Sequence, residues 1–312
     1  MRKICLLIFL FFFVFISCDK KANFMDRIKQ DYIISSNKEE QPLIKAIVDG
    51  DSKKIRKIIQ NNNEIIEESY NRSYFSYLHM AVSIENIKSV EILLKLGFNP
   101  NVKDLQGKTP LYCASGHSLY PYVEDDNLLK ISEVLLQYGA DPNQHIDEDE
   151  TTPLINICDS MYFKERYLER AKLLIEKGGA DVNLRDKNGA TAADLALLGA
   201  IKGFGMNLVT RTESFNDSLL VAHYLINVNH TDIKESFFTK TNNGEYQMIY
   251  PVYLLRCLIY PLDSKEYKIK MEIFEEFRRQ GVDYYSEPIP ENIVEIIKHL
   301  YPDSSDEYLK VY

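Results

Sequence analysis

Apolar residues recur along most of the chain with a period close to 33 residues, which is typical of repeat proteins. A leucine near the start of an apolar helical segment occurs at Leu43, Leu78, Leu111 and Leu154, with spacings of 35, 33 and 43 residues, and Ala193 follows 39 residues later. A second segment follows each one, with apolar residues at i, i+3 and i+4, as on one face of a helix. The pattern predicts an all-α solenoid of stacked helix-turn-helix repeats.

Each repeat carries local signals for the ends of its helices. Thr109 and Pro110 open a first helix, where proline loses no helical hydrogen bond and the threonine hydroxyl can cap a backbone N–H group. The second helices are predicted to end at Gly97, Gly139 and Gly178, because glycine readily adopts the left-handed conformation of a helix C-cap. A small residue in each first helix allows close approach of the next repeat. These residues are Ala46, Ala81, Ala114 and Ala196, with Ile157 and Leu255 as larger exceptions.

The recurring phrases resemble the ankyrin repeat. The first-helix motif of that family is matched best at Lys108–Ala114 and Ser76–Ala81, and the phrase that closes a repeat is matched at Gly139–Asn143 and Gly179–Asn183. The resemblance covers residues 41 to 285, or five to six repeats. It implies hairpin-like finger loops between repeats, a binding groove formed by fingers and first helices, and a structural role for His79.

Later repeats are longer than the first two. From the small residue of the first helix to the paired apolar residues of the second, repeats one and two take 12 residues, whereas repeats three to six take 21, 17, 29 and 22. Such insertions map to one face of a solenoid, so enlarged loops between the helices are expected along one edge. They are either tolerated loops or longer helices, or they form a binding edge that includes Tyr120 and Tyr122.

The amino end has the pattern of an export signal. Two basic residues precede an apolar run from Ile4 to Ile16, which is too short to span a bilayer comfortably and is typical of a signal peptide. The residues up to Cys18 resemble a bacterial lipobox, although Phe15 stands where leucine is usual. The resemblance implies a signal peptide over residues 1–17, a lipid on Cys18, a tether over 18–40 and a place in the bacterial cell envelope. An uncleaved anchor and ordinary secretion are the alternatives.

Charge narrows the choice of partner. Removal of Arg2 and Lys3 with the signal leaves 35 basic and 46 acidic residues, a formal charge of −11. This charge argues against nucleic acid or anionic lipid as the ligand and limits membrane contact to the lipid anchor. An acidic run at residues 147–150 falls in a predicted finger. It is either a solvated loop or a surface for a basic partner.

No constellation of residues indicates catalysis, a cofactor or a metal. Cys113, Cys158 and Cys257 lie singly in separate repeats, so they are predicted to be small buried residues rather than a disulfide set. The histidines show no zinc-ligand spacing, and the chain has no phosphate-binding loop or nucleophile elbow.

The sequence therefore predicts an envelope-tethered protein, not an enzyme, that binds another protein through its groove and fingers. An inhibitor or immunity protein that blocks a toxin or hydrolase is the alternative, and an enzyme built from the inserted loops is a third. Residues 286–312 are predicted to form a capping helix and tail. The predicted partner-binding positions are Asp104, Gln106, Tyr112, Asp147, Glu148, Asp149, Arg185 and Lys187, with Tyr120 and Tyr122 on the inserted edge.

Overall fold

The computed structural model describes residues 26–34, 38–62, 65, 76–116, 126–146, 148–159, 167–206, 216–240, 244–286 and 288–311. The chain divides into two compact units between Glu148 and Asp149. Residues 26–34 are helical. Within the described ranges, every helix is too short or too polar to cross a membrane.

The first unit contains three helix pairs. They are α1 (Gln41–Asp49) with α2 (Ser52–Asn61), α3 (Tyr77–Ser83) with α4 (Ile87–Lys95), and α5 (Pro110–Ser115) with α6 (Asp126–Gln137). The first helices α1, α3 and α5 pack side by side, and the second helices α2, α4 and α6 form a parallel layer. Each repeat therefore contacts its neighbours through both layers, as in a solenoid.

The described part of the second unit has an arrangement of the same kind, with three helix pairs. They are α7 (Pro153–Cys158) with α8 (Tyr167–Lys172), α9 (Ala192–Met206) with α10 (Asn216–His223), and α11 (Pro251–Cys257) with α12 (Lys265–Arg279). The helices α8 and α10 run on into single π-helical turns, Leu173–Lys177 and Tyr224–Val228. The first helices α7, α9 and α11 pack side by side, as do α8, α10 and α12.

Two further helices end the second unit. After a 3-10 turn at Tyr284–Ser286, α13 (Glu291–Leu300) and α14 (Ser305–Val311) pack on each other. Tyr308 of α14 is buried in one apolar cluster with Ile297 of α13 and with Cys257 and Ile259. Its hydroxyl donates a hydrogen bond to the carbonyl of Tyr260 at 2.5 Å. These contacts cover the end of the last helix pair.

The predicted core positions of the first helices are confirmed. The first-helix leucines Leu43, Leu78, Leu111 and Leu154 are at most 2% exposed. Thr109 accepts a hydrogen bond from the backbone N–H of Tyr112, and proline follows at the first helical position. Buried leucine, small residue and capped helix start therefore coincide in the repeats that begin at Ser76 and Thr109, whereas the first helix of repeat one has no side-chain cap. The small residues Ala46, Ala81, Ala114 and Ala196 are 0% exposed.

The predicted C-caps are correct at two glycines and wrong at one. Gly97 and Gly139 have φ of 94° and 84°, as the left-handed cap requires. Gly178 instead has a φ of −90°, and the left-handed residue is Gly179 with a φ of 73°. The π-helical turn before it contains one more residue than an α-helical turn, so the cap moves one position along the chain.

An asparagine joins consecutive repeats within each unit. In the first unit, Asn101 donates to the carbonyl of Gly139 at 2.9 Å and accepts from the backbone N–H of Asp141 at 2.7 Å. In the second unit, Asn183 accepts from the backbone N–H of Asp232 at 2.8 Å. The closing phrase of one repeat is thereby bonded to the closing phrase of the next.

The longer repeats owe part of their length to helix. The helices α9 and α12, in repeats five and six, have 15 residues each, whereas the four helices of repeats one and two have seven to ten. An antiparallel hairpin, formed by β1 (Phe237–Lys240) and β2 (Tyr246–Ile249), accompanies the helices in the described part of the chain. This hairpin stands between α10 and α11, at the place where a finger loop is expected.

Candidate functional site

The finger loops are closed by aspartate. In the first unit, Asp104 Oδ1 accepts hydrogen bonds from the backbone N–H groups of Gln106 and Lys108, both at 2.9 Å. Gly107 completes the turn with a φ of 74°. The Asp104 carboxylate therefore holds the finger in shape, whereas Gln106 is exposed at its tip.

The finger before α9 repeats this geometry. Asp186 Oδ1 accepts from the backbone N–H groups of Asn188 at 2.9 Å and Ala190 at 2.8 Å. Arg185 beside it donates to the carbonyl of Gly189 at 2.6 Å. The same guanidinium lies 3.7 Å from the carboxylate of Glu235. Arg185 is thus partly engaged in holding this finger, while Lys187 stands exposed at the tip.

Backbone hydrogen bonds connect successive fingers of the second unit. The N–H of Lys187 donates to the carbonyl of Asp149 at 3.0 Å, and the N–H of Phe238 in β1 donates to the carbonyl of Asn188 at 2.9 Å. The Lys187 ammonium also forms an ion pair with the Asp149 carboxylate. We call this set of connected fingers, residues 149–152, 185–191 and the hairpin, the finger row.

The acidic finger contains an unusual backbone conformation. Glu150 has a φ of 56° and occupies the place that Gly107 and Gly189 take in the other fingers. A side chain in this left-handed region costs about 1–2 kcal/mol relative to glycine. Glu148 is exposed next to it. The finger therefore keeps a glutamate where glycine would be more stable.

A buried carboxylate lies behind the finger row. Asp194, in the first turn of α9, is 0% exposed, and its Oδ2 accepts from the backbone N–H and the hydroxyl of Thr191 at 2.9 and 2.8 Å. Arg185 is 3.9 Å away, and Asp194 Oδ1 has no hydrogen-bond partner. Burial raises the pKa of Asp194 to about 6, although the bonds from Thr191 and the charge of Arg185 act in the opposite direction.

His79 has the structural role that the resemblance implies. Its Nε2 donates to the carbonyl of Lys108 at 3.0 Å, and its Nδ1 lies 2.8 Å from the hydroxyl of Ser76. Burial lowers the pKa of His79 and raises that of Cys113 to about 12. The ligand atoms of His79, Asp104 and Cys113 lie within 4.8 Å of one another. Because the histidine nitrogens are both hydrogen-bonded and the thiol is protonated, we assign this cluster to packing between repeats.

A basic groove lies on α2. Lys53, Arg56 and Lys57 line a cavity of about 380 Å³ together with Gln60 and Ile92. The local charge is opposite to that of the whole chain, which has a formal net charge of −9. This face of the first unit is therefore basic, although the chain as a whole is acidic.

The structure brings part of the predicted partner-binding set together. Asp149, Arg185 and Lys187 share the finger row, with Glu148 beside them. Asp104, Gln106 and the half-buried Tyr112 belong to the first unit. The binding role of all these residues stays a prediction. Cys18, Tyr120, Tyr122 and Asp147 lie outside the described residues.

The hairpin carries an apolar surface that the repeat pattern of the sequence does not predict. Phe238, Tyr246, Met248 and Tyr250 are 45–60% exposed, which is unusual for large apolar side chains grouped in one segment. A signal was available, since two short runs rich in aromatic and β-branched residues flank a turn that contains Gly244. The hairpin lies between two repeat motifs, so the repeat pattern does not include it.

Comparison with known proteins identifies the family of the repeats between residues 43 and 144. Residues 43–144 match the family model of ankyrin repeats, in three copies. The chain therefore contains ankyrin repeats, and its fold is an all-α ankyrin-repeat solenoid. Ankyrin repeats present extended binding surfaces to other proteins, which makes protein–protein interaction the general function.

One relative is a yeast protein. The chain is 30% identical over 132 residues to the probable 26S proteasome regulatory subunit p28 of Saccharomyces cerevisiae. The match covers 42% of this chain and 52% of the yeast protein, so it spans about half the length of that relative.

Proposed function

We propose that the protein binds another protein through the finger row and the adjacent first helices, without catalysis, while tethered to a bacterial envelope by lipid on Cys18. The observation that supports binding most directly is the connection between fingers. The bonds from Lys187 to Asp149 and from Phe238 to Asn188 fix the backbone of three successive elements. A surface ordered in advance loses little conformational entropy when a partner docks, which favours affinity.

The tether rests on the sequence of the amino end. The apolar run from Ile4 to Ile16 ends just before Cys18. A lipid anchor at this position leaves the repeats free to meet a partner in the envelope. A short tether of about 20 residues also raises the local concentration of the repeats near the membrane.

Cys18→Ser should release the protein from the membrane fraction, since the acyl chains supply most of the membrane affinity of a lipoprotein. Metabolic labelling with a fatty acid, followed by detergent partitioning, measures the effect. Cys5→Ser is the matched control, because Cys5 lies within the predicted signal peptide and its loss should leave labelling intact. Equal labelling of the Cys18→Ser variant and the natural protein would contradict the lipid anchor.

A second candidate function is supported by the acidic finger. Glu148 and Glu150 are exposed, and Asp149 is half-exposed beside Lys187. An acidic tip on an ordered backbone suits a basic partner. The protein would then be an inhibitor or immunity protein that blocks a basic toxin or hydrolase in the same compartment. Inhibition of the captured partner's own activity by the purified repeats would distinguish this function from simple binding.

Neutralising the acidic finger should slow partner capture. The variant carries Asp147→Asn, Glu148→Gln, Asp149→Asn and Glu150→Gln. Charge complementarity acts mainly on association rate, so we expect slower association at low salt and a weaker dependence on salt. Stability should change little, because the half-exposed Asp149–Lys187 ion pair contributes only about 0–1 kcal/mol.

The experiment uses the soluble fragment from Asp19 onward to capture partners from an envelope extract, followed by association kinetics with the partner identified. Glu291→Gln with Glu295→Gln on α13 removes exposed charge away from the fingers and serves as the control. The same association rate for the finger variant and the natural fragment at low salt would count against the acidic finger. Failure to capture any protein would count against binding itself.

A further inference from the structure

The hairpin has an outer edge that carries unused backbone groups. In the antiparallel register, Phe238 faces Met248 and Lys240 faces Tyr246. The N–H of Phe238 donates to Asn188 and so points away from β2. Facing residues in such a ladder alternate between pairs that exchange hydrogen bonds and pairs that do not. The N–H and C=O groups of Tyr246 and Met248 therefore point outward from β2.

Nothing in the described part of the chain pairs with this edge. The sheet contains two strands there, β1 is bonded to the finger before α9, and β2 is the last strand of the row. Three of the four β2 residues are exposed on both faces of the hairpin. Natural edge strands are usually protected by proline or charged side chains, but Tyr246–Ile249 contains neither.

The side chains next to the edge are apolar and exposed. Phe238 is 50% exposed, Met248 51% and Tyr246 60%. Facing residues project to the same side of a hairpin, as do residues two apart along a strand. These three side chains thus form one apolar patch beside the unpaired backbone groups. Backbone groups for pairing and alternate apolar contacts are the two elements of peptide recognition by strand addition.

The size of the edge distinguishes between two occupants, a second copy of this chain and an extended peptide. A strand of four residues is roughly 13 Å long, and three half-exposed side chains add about 300 Å² of contact. A stable dimer needs about 800 Å² from each partner, so a second copy of the chain would be held too weakly by this edge. An extended peptide needs only a strand of this length.

We infer that the outer edge of β2 binds an extended segment of the partner protein, which adds a third strand to the hairpin. The segment would lack proline at its central positions and carry apolar residues at every second position, in contact with Phe238, Tyr246 and Met248. This inference rests on the proposed function, protein binding by the finger row, and specifies the chemistry of the partner.

The test uses a displayed library of ten-residue peptides selected on the soluble fragment from Asp19 onward. We expect enriched peptides with apolar residues at i, i+2 and i+4. Binding should slow hydrogen exchange of the Tyr246 and Met248 amides. A peptide N-methylated at the residues that pair with β2 loses backbone hydrogen bonds, so its affinity should fall about tenfold or more.

Met248→Pro is the substitution in the protein that corresponds to N-methylation of the peptide. It removes an outward N–H that makes no bond within the hairpin, so the fold should persist and peptide binding should fall about tenfold or more. Gln247→Pro removes an inward N–H and should instead disrupt the hairpin. If Met248→Pro does not fold, the N-methylated peptides test the same bonds on the natural chain.

Four results would overturn the inference. One is the selection of no binding peptide, and another is peptide binding that leaves the Tyr246 and Met248 amides unprotected. The third is a dimer of the natural fragment that Met248→Pro dissociates, which would make a second copy the occupant. A partner that binds Met248→Pro as tightly as the natural fragment would refute strand addition but leave the proposed function standing.

Discussion

Leu111→Ala and Leu135→Ala should each lower the free energy of unfolding by about 2–5 kcal/mol. Both side chains are 0% exposed, one in α5 and one in α6. Truncation removes their apolar contacts and leaves a cavity between helices that cannot close fully. Urea denaturation followed by circular dichroism measures the loss. Since neighbouring repeats stabilise one another, hydrogen exchange should also accelerate in α3 and α4.

Leu136→Ala is the matched control for this prediction. Leu136 follows Leu135 in α6 but is only partly buried. Its position next to Leu135 places it on another side of the same helix. Its truncation should therefore cost clearly less than that of Leu135. Equal losses at the two positions would contradict the packing of α6.

Asp194 should make stability fall as the pH rises between about 4 and 6. The buried carboxyl has a pKa of about 6 in the folded protein, which is above the ordinary value that applies in the unfolded chain. The folded state therefore keeps a proton that the unfolded state has lost. The stability associated with the protonated group is complete below the unfolded pKa and is lost as the pH rises through about 6.

The expected loss from this group is about 3 kcal/mol, because each unit of pKa difference corresponds to about 1.4 kcal/mol. Other groups also titrate, so the free energy of unfolding is measured for both the natural protein and Asp194→Asn by denaturation at several pH values. The difference between the two proteins at each pH isolates the effect of Asp194. Asparagine does not ionise and can still accept the bonds from Thr191. The variant should gain stability relative to the natural protein as the pH rises from 4 to 7.

Thr191→Val gives a second check on the same group. The Thr191 hydroxyl stabilises the charged form of Asp194 by donating a hydrogen bond at 2.8 Å. Its removal should raise the pKa of Asp194 further and move the loss of stability to higher pH. A natural protein and an Asp194→Asn variant with parallel pH profiles would show that the carboxyl does not titrate in this range.

The regular part of the fold could be predicted because its determinants are local and repeated. Leu78, Ala81 and Thr109 stand at fixed places in a recurring phrase, so their burial or capping role follows from position. The shift of the C-cap from Gly178 to Gly179 could not be predicted in this way. It depends on a π-helical turn whose hydrogen bonds are set by packing rather than by a residue pattern.

The candidate site was less predictable from the sequence. Asp104 and Arg185 stand at finger positions, but the sequence does not show that their side chains bond to finger backbone. That use depends on how the chain turns back on itself. The outward groups of Tyr246 and Met248 follow from strand register and from the bond between Phe238 and Asn188, which joins residues 50 positions apart.

The asparagine hydrogen bonds between repeats affect how the number of repeats can change in evolution. Asn101 bonds forward to the next repeat, and Asn183 does the same in the second unit. A single repeat can thus supply both partners of these bonds. Its asparagine side chain bonds to the following repeat, and its backbone N–H bonds to the asparagine of the preceding repeat. Tandem duplication of a gene segment encoding one repeat would reproduce these bonds at both ends. The length of the array could then change in evolution without new contacts having to arise.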